Sequence, residues 1–199
     1  SGPLYVAGDM VYLDKKGDGV INDADRTIIG NANPKHIGGI TNTFTYKGFD
    51  LSVFMQWSYG NDIFNETREA SNRSFVYNAA TTEVLRSWRK EGDVTDVPRG
   101  TPSTIGRNGF PSSRWLEDGS YLRVKTATLG YTFPSALLKR VKIDNLRLYV
   151  SGQNLFTFTK YSGMDPEVNF RSSLPLLQGI DLGTYPQVRT ITFGLNLGF

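Results

Sequence analysis

There is no cysteine in this chain and a single histidine, His36. The first absence excludes disulfide frameworks, zinc–thiolate centres, thiol nucleophiles and iron–sulfur ligation. The second excludes a multi-histidine metal site and leaves a Ser-His-Asp triad only one residue to build on. Long apolar runs are missing too, so no segment approaches the roughly 20 residues that a membrane-spanning helix needs. Neither sign of charge dominates: 22 Lys and Arg stand against 19 Asp and Glu in 199 residues, a formal +3, which argues against a dedicated nucleic-acid partner. The opening Ser1-Gly2-Pro3-Leu4 carries neither an initiator methionine nor a charged-then-apolar leader pattern, as expected of a fragment or a processed chain.

What is abundant points to strands and tight turns: 21 glycines, 12 phenylalanines and 10 tyrosines suit an all-β fold. From 49 to 57 the odd positions are Phe49, Leu51, Val53, Met55 and Trp57 and the even ones include Asp50, Ser52 and Gln56, with Phe54 the exception, the period of a half-buried strand. Just before it, Thr41, Thr43 and Thr45 alternate with Asn42, Phe44 and Tyr46, and only Lys47-Gly48 separates the runs, which predicts a two-residue hairpin. At the C-terminus Arg189, Ile191, Phe193, Leu195, Leu197 and Phe199 share one face, and Val188, Thr190, Thr192, Gly194, Asn196 and Gly198 the other. Residues 120–133 and 145–158 are two further strands. In the first, Arg123 and Lys125 share the parity of Leu129 and Tyr131, so the apolar face must change sides near Thr126-Ala127, through a bulge. Residues 4–13 are a sixth strand. Short helical stretches are expected at 83–90, where Val84, Leu85 and Trp88 share a face, and at 135–140, after a helix-starting Pro134.

The links between these strands alternate strictly: long at 14–36, two residues at 47–48, very long at 59–119, short at 134–144 and long at 159–186. A soluble sandwich has no need of this alternation. An antiparallel up-and-down transmembrane β-barrel does, with short periplasmic turns, long extracellular loops and strands of roughly ten residues with an apolar outer face. The chain therefore reads as about six strands of a larger barrel, in contact with outer-membrane lipid.

Chemistry-bearing patterns are few. Residues 14–25 reproduce much of a calcium loop: Asp14 and Asp18 at positions one and five, Gly19 at the sharp turn, a backbone carbonyl from Val20, then Asn22 and Asp25. Lys16 at position three and the short Asp25 at position twelve set the expected affinity low. The same spacing is met by an empty Asp-Gly turn whose carboxylates accept from backbone amides. The acid pairs Asp165/Glu167 and Asp93/Asp96 are of the type that glycoside hydrolysis uses, but both sit among turn residues, and no catalytic residue is assigned. Tyr59, Trp115 and Tyr161 are candidates for stacking on sugars or for an interfacial aromatic girdle.

Several segments in order resemble one family. They are Asp18-Gly19-Val20-Ile21 leading to Asp25-Arg26-Thr27 and Ile29-Gly30-Asn31; Tyr46-Lys47-Gly48-Phe49-Asp50-Leu51-Ser52; Tyr59-Gly60-Asn61-Asp62-Ile63; Thr95-Asp96-Val97-Pro98-Arg99; Glu117-Asp118-Gly119-Ser120-Tyr121-Leu122-Arg123; Leu129-Gly130-Tyr131; Ser151-Gly152-Gln153-Asn154-Leu155-Phe156; Asp165-Pro166-Glu167; and the closing aromatic. Together they resemble the C-terminal barrel region of the SusC/RagA-type TonB-dependent outer-membrane transporters of Bacteroidetes, across nearly the whole of residues 1–199. The resemblance implies a parent barrel of about 22 strands that imports glycan or peptide fragments. It implies a plug and a TonB-contacting segment outside this chain, and a SusD-like surface lipoprotein as partner. It also implies an assembly signal in Phe193, Leu195, Leu197 and Phe199, and no enzymatic activity. The reading it displaces is a secreted, calcium-stabilised glycan-binding β module. The two differ in whether the apolar face of the last strand is left to lipid or buried against a second sheet.

Overall fold

The computed structural model describes residues 5–73, 80–100, 107–139, 142–168 and 178–199. The long elements are the ones with clean alternation: β1 (His36–Tyr46), β2 (Phe49–Tyr59), β5 (Tyr121–Thr132), β6 (Asn145–Thr159) and β8 (Thr190–Gly198). They form one antiparallel sheet in the order β1-β2-β5-β6-β8. Three short strands, β3 (Asp62–Asn65), β4 (Leu116–Asp118) and β7 (Ile180–Asp181), form a separate sheet in the order β4-β3-β7. The large sheet is therefore a pure up-and-down meander, each of its strands lying beside the one that precedes it along the chain. Among the described residues its outermost strands, β1 and β8, each pair on one side only.

Lys47 and Gly48 join β1 to β2 with φ of 46° and 88°, the left-handed pair that a type I′ hairpin turn requires. The register runs unbroken from Tyr46↔Phe49 to His36↔Tyr59. The expected bulge lies at Lys125, one residue before the predicted place. Val124 faces Met55 and Thr126 faces Phe54, so Lys125 is the extra residue. On its other side β5 meets a second irregularity in β6, where Asn154 takes φ of 50°.

All long links gather at one end of the sheet and all short ones at the other. At the long-link end β3, β4 and β7 pack with α1 (Glu66–Arg73), and here lie the buried apolar side chains Ile63, Val97, Trp115 and Tyr161, while Leu138 is buried in the short link after β5. Among the described residues the five-stranded sheet buries no apolar side chain; its buried members are Arg123, Gly130 and Gly152. The hydrophobic core is thus in the loops, and the sheet is a wall.

Residues 5–13 form no strand, which corrects the expected sixth strand; Leu4 lies outside the described residues. Gly8 turns the chain with φ of 84°, Val6 and Asp9 close on each other, and Asp9 is held by Arg99 at 2.6 Å. Those polar ties bind the segment to the loop layer. The expected helix at 83–90 shortens to a 3-10 turn over Thr82–Arg86, because Trp88 donates its amide to Val97 instead of continuing the coil. α2 (Ser135–Leu138) follows Pro134 as expected, while residues 140 and 141 lie outside the described residues. Among the described residues no helix is long and apolar enough to cross a membrane.

Candidate functional site

The register aligns side chains into rows that cross the whole wall. Phe44, Leu51, Leu129, Val150 and Phe193 are successive partners across all five strands, and so are Tyr46, Phe49, Tyr131, Leu148 and Leu195. Beyond the bulge the same face continues with Ile40, Met55, Val124 and Phe156, then Trp57, Leu122 and Phe158. None of these side chains is buried: Phe193 is 82% exposed and Phe44 61%, while Leu51, Met55, Trp57, Val124, Tyr131 and Val150 are half-buried. A soluble monomer does not expose a continuous five-strand apolar face. From Phe49 to Trp57 the strand climbs about 27 Å, which at the usual barrel tilt is a height of roughly 20 Å, close to the apolar belt of an outer-membrane barrel.

The opposite face is polar. Thr41, Thr43 and Thr45 run beside Phe54, Ser52 and Asp50, then Thr126, Thr128 and Gly130, then Gln153, Ser151 and Tyr149, ending at Thr190, Thr192 and Gly194. Arg147 Nε donates to Asp50 at 3.0 Å across β5, and Gly130 between them leaves the room; a Cβ there would clash with Arg147 Nη2.

The bulge gives this face its main charged cluster. Lys125 as an extra residue moves Arg123 off the side of Leu129 and Tyr131, where unbroken parity would put it. Arg123, 1% exposed, donates to Asp165 Oδ1 at 2.6 Å and to Glu167 Oε2 at 2.8 Å. Lys125 Nζ and the Tyr121 hydroxyl also reach Glu167, each at 2.8 Å. Asp165 in turn accepts the amides of Glu167 and Gln187 at 2.9 Å, so one carboxylate ties the outgoing and the returning limb of the 160–189 loop to the wall. Burial acts to raise the Asp165 pKa, but the hydrogen bonds from Arg123, Glu167 and Gln187 and the nearby positive charge outweigh it and hold the carboxyl below its ordinary range. The Asp165/Glu167 pair is thus spent on structure.

A second cluster organises the loop layer. Asn65 accepts the amide of Arg68 at 2.9 Å and starts α1. Arg68 then grips Glu83 with Nε and Nη2, both at 2.9 Å, and reaches Glu117 at 3.3 Å. Arg114 joins Glu83 at 3.0 Å, and the guanidinium groups of Arg68 and Arg114 lie 5.6 and 5.0 Å from the Trp115 ring centroid. Glu117 also accepts from the Ser162 amide at 2.8 Å. Hydrogen bonding to Arg68 lowers the Glu83 pKa against a smaller opposing effect of burial. A cavity of about 1140 Å³ opens beside this cluster between Arg68, Glu117, Ser162, Asp181 and Tyr185. The Asn65 cap and the acidic first turn of α1 were legible signals for a helix that the sequence reading missed.

The remaining candidates fall as follows. Asp14 accepts the amides of Gly17 and Gly19 at 2.6 and 2.7 Å, Asp18 that of Val20, and Asp25 those of Lys15 and Asn22; the Val20 carbonyl accepts from the Asn22 side chain. The backbone bond from Gly19, foremost, lowers the Asp14 pKa. Among the described residues no group of three or more His, Asp or Glu is placed to hold a metal. Asp93 accepts the amides of Arg89 and Lys90, and Asp96 faces Arg86 at 3.3 Å. His36 accepts from Trp57 Nε1 and stacks on Tyr59 at 5.0 Å. Trp115 is 2% exposed, and buried Tyr161 donates its hydroxyl to Asp181; neither offers a ring face to a sugar, which corrects that expectation for both. Leu197, Leu195 and Phe193 stand outward on β8, with Phe199 beyond its end, 85% exposed.

Compared with known proteins, the chain matches no family model. It is 40% identical over 196 residues to TonB-dependent receptor P3 of Formosa agariphila, covering 96% of this chain and 19% of that one. It is 28% identical over 194 residues to TonB-dependent receptor SusC of Bacteroides thetaiotaomicron, covering 96% and 18%. Among solved structures it superimposes on the RagAB peptide importer in its open-open state with a TM-score of 0.75 and 25% identity, over 94% of this chain and 20% of that one. The chain spans about a fifth of the length of the curated relatives it matches.

Proposed function

The chain belongs to the TonB-dependent receptors of the SusC/RagA type, a family of transporters and not of enzymes, and on that premise we propose that it forms the C-terminal wall strands and surface loops of an outer-membrane importer. The apolar face of β1, β2, β5, β6 and β8 meets lipid, the polar face lines the lumen, and the strands that complete the barrel, the plug and the TonB-contacting segment belong to the rest of the receptor. The cargo is a glycan or peptide fragment, and a SusD-like surface lipoprotein covers the loop end. The observation that carries this reading is the set of apolar rows running unbroken through all five strands and left exposed. A secreted glycan-binding module would have to bury Ile191, Phe193, Leu195 and Leu197 against a second sheet, whereas all four are exposed.

The orientation puts residues 14–36, 59–119 and 159–186 outside the cell and 47–48 and 134–144 in the periplasm. Single cysteines at Asn72 and at Lys139 in the intact receptor are expected to differ on whole cells: an impermeant maleimide labels the first and spares the second. Equal labelling contradicts the orientation. Phe199, with Leu197, Leu195 and Phe193 behind it, is proposed as the signal read by the assembly machinery. Its deletion then lowers the receptor assembled in the outer membrane far more than Leu197→Ala does, and equal assembly leaves Phe199 as an ordinary lipid-facing ring worth about 2 kcal/mol.

Calcium, anticipated by the spacing of 14–25, has to displace amides already bonded to Asp14, Asp18 and Asp25. We therefore expect affinity in the roughly millimolar range of extracellular modules, tightened by Lys16→Asp. Calorimetry giving sub-micromolar affinity, or no response to Lys16→Asp, contradicts this.

A further inference from the structure

The short-link end of the wall differs from the rest of the molecule in charge. Lys47, Lys139, Arg140 and Lys142 against Asp144 leave its two links at +3, the formal net charge of the whole chain; everything else is balanced. Lys47 also stands beside the lowest apolar rows. Tyr46 and Phe49 are cross-strand partners on the lipid-facing side, Phe49 packs on Tyr131 at 4.5 Å, and Tyr131 meets Phe133 edge-on at 5.0 Å. Lys47, at the hairpin tip, folds back over this girdle with its ammonium 5.2 Å from the Tyr46 ring centroid. It therefore stands on the lipid side of the wall and not over the lumen. Lys139 and Lys142 are exposed at the neighbouring link, next to Leu137, which is also exposed. Aromatic rings at the level of the membrane interface with ammonium groups just beyond them match a surface of phosphate-bearing headgroups: the rings take the acyl boundary and the cations take the anionic charge.

We propose that this end of the sheet is a docking surface for anionic phospholipid headgroups, with Lys47, Lys139 and Lys142 as the recognising cations. The proposal rests on the membrane-wall reading above and adds to it a lipid preference confined to one rim. The remainder of the chain carries equal numbers of basic and acidic side chains, and at the long-link end pairs such as Arg68–Glu83 and Arg123–Asp165 are internal.

The test uses the intact receptor, reconstituted in nanodiscs of phosphatidylcholine mixed with phosphatidylglycerol, then extracted into a neutral detergent and examined by native mass spectrometry for retained lipid. Lys47→Asn, Lys139→Gln and Lys142→Asn are combined in one variant, asparagine being chosen where φ is 46° and 57° because it tolerates the left-handed region. The wild type is expected to retain phosphatidylglycerol over phosphatidylcholine, and the variant to lose that preference by roughly five-fold per lysine at low ionic strength. A control removing Lys90 and Lys160 at the other end keeps it, and added inorganic phosphate leaves it unchanged. An undiminished preference in the triple variant overturns the proposal, as does displacement of the lipid by inorganic phosphate. A receptor that stays in solution without detergent and retains neither lipid refutes the membrane-wall reading beneath it, a result distinct from retention without preference.

Discussion

Replacing Arg123 by methionine is expected to release the 160–189 loop from the barrel wall and to destabilise the receptor by about 3–5 kcal/mol, the range for removing one partner of a buried ion pair. The figure is large because Asp165 and Glu167 stay behind at 6% and 18% side-chain exposure, and among the described residues the one further cation paired with either is Lys125, which reaches Glu167. Limited proteolysis of the intact receptor should cut within 160–189 in Arg123→Met and spare the wild type. Replacing Asp165 by asparagine at the same time should restore part of the protection, since no unpaired charge then remains at that position. The cluster also has a pH signature. Asp165 has a folded pKa below its ordinary value of 3.8, so its contribution is fully present above that value and is lost as pH falls through the depressed one. Loop protection should hold at neutral pH and weaken below about pH 4; weakening near pH 6 would point to another group.

The second large effect separates the two faces of β8. Ile191 lies in the middle row of the wall, beside Gly152, Ala127 and Val53, and Thr192 is its neighbour on the polar face. Ile191→Arg should cost about 2–4 kcal/mol, the penalty of a cation at mid-depth on a lipid-facing barrel strand. Thr192→Arg should stay within about 0.5 kcal/mol, as at a solvated position. Unfolding of the full receptor from lipid vesicles in denaturant measures both. Equal costs would mean that the two faces of the strand see the same surroundings.

How much of this was legible in the sequence follows from what each element depends on. The wall strands are specified locally: a side-chain period of two, β-prone residues and a Lys-Gly turn sufficed for β1, β2, β5, β6 and β8, and the parity clash around Arg123 announced the bulge. Residues 4–13 also alternate in part, but the course of 5–13 is set by Arg99 and Asn108, which reach Asp9 from 90 and 99 residues along the chain and which no local pattern reveals. α1 was missed because its face is polar and its support is tertiary, through Arg68 to Glu83 and Glu117. For the acid pair Asp165/Glu167 the residues were visible but not their partner, since Arg123 reaches them only after the bulge has moved it to the inner side. In the 14–25 loop the residues were read correctly as oxygen-rich, yet spacing alone does not distinguish oxygens turned toward an ion from oxygens turned toward backbone amides, and here they meet the amides.

The central claim is that one face of this sheet meets lipid and the other an aqueous lumen, and a nitroxide scan along β8 tests it most directly. Spin labels placed singly from Thr190 to Gly198 in the reconstituted receptor should show accessibility to molecular oxygen peaking at Ile191, Phe193, Leu195 and Leu197. Accessibility to a water-soluble nickel chelate should peak at Thr192, Gly194 and Asn196, the two profiles being out of phase with a period of two. In-phase profiles, or odd positions closed to both reagents as in the core of a soluble sandwich, would contradict the account.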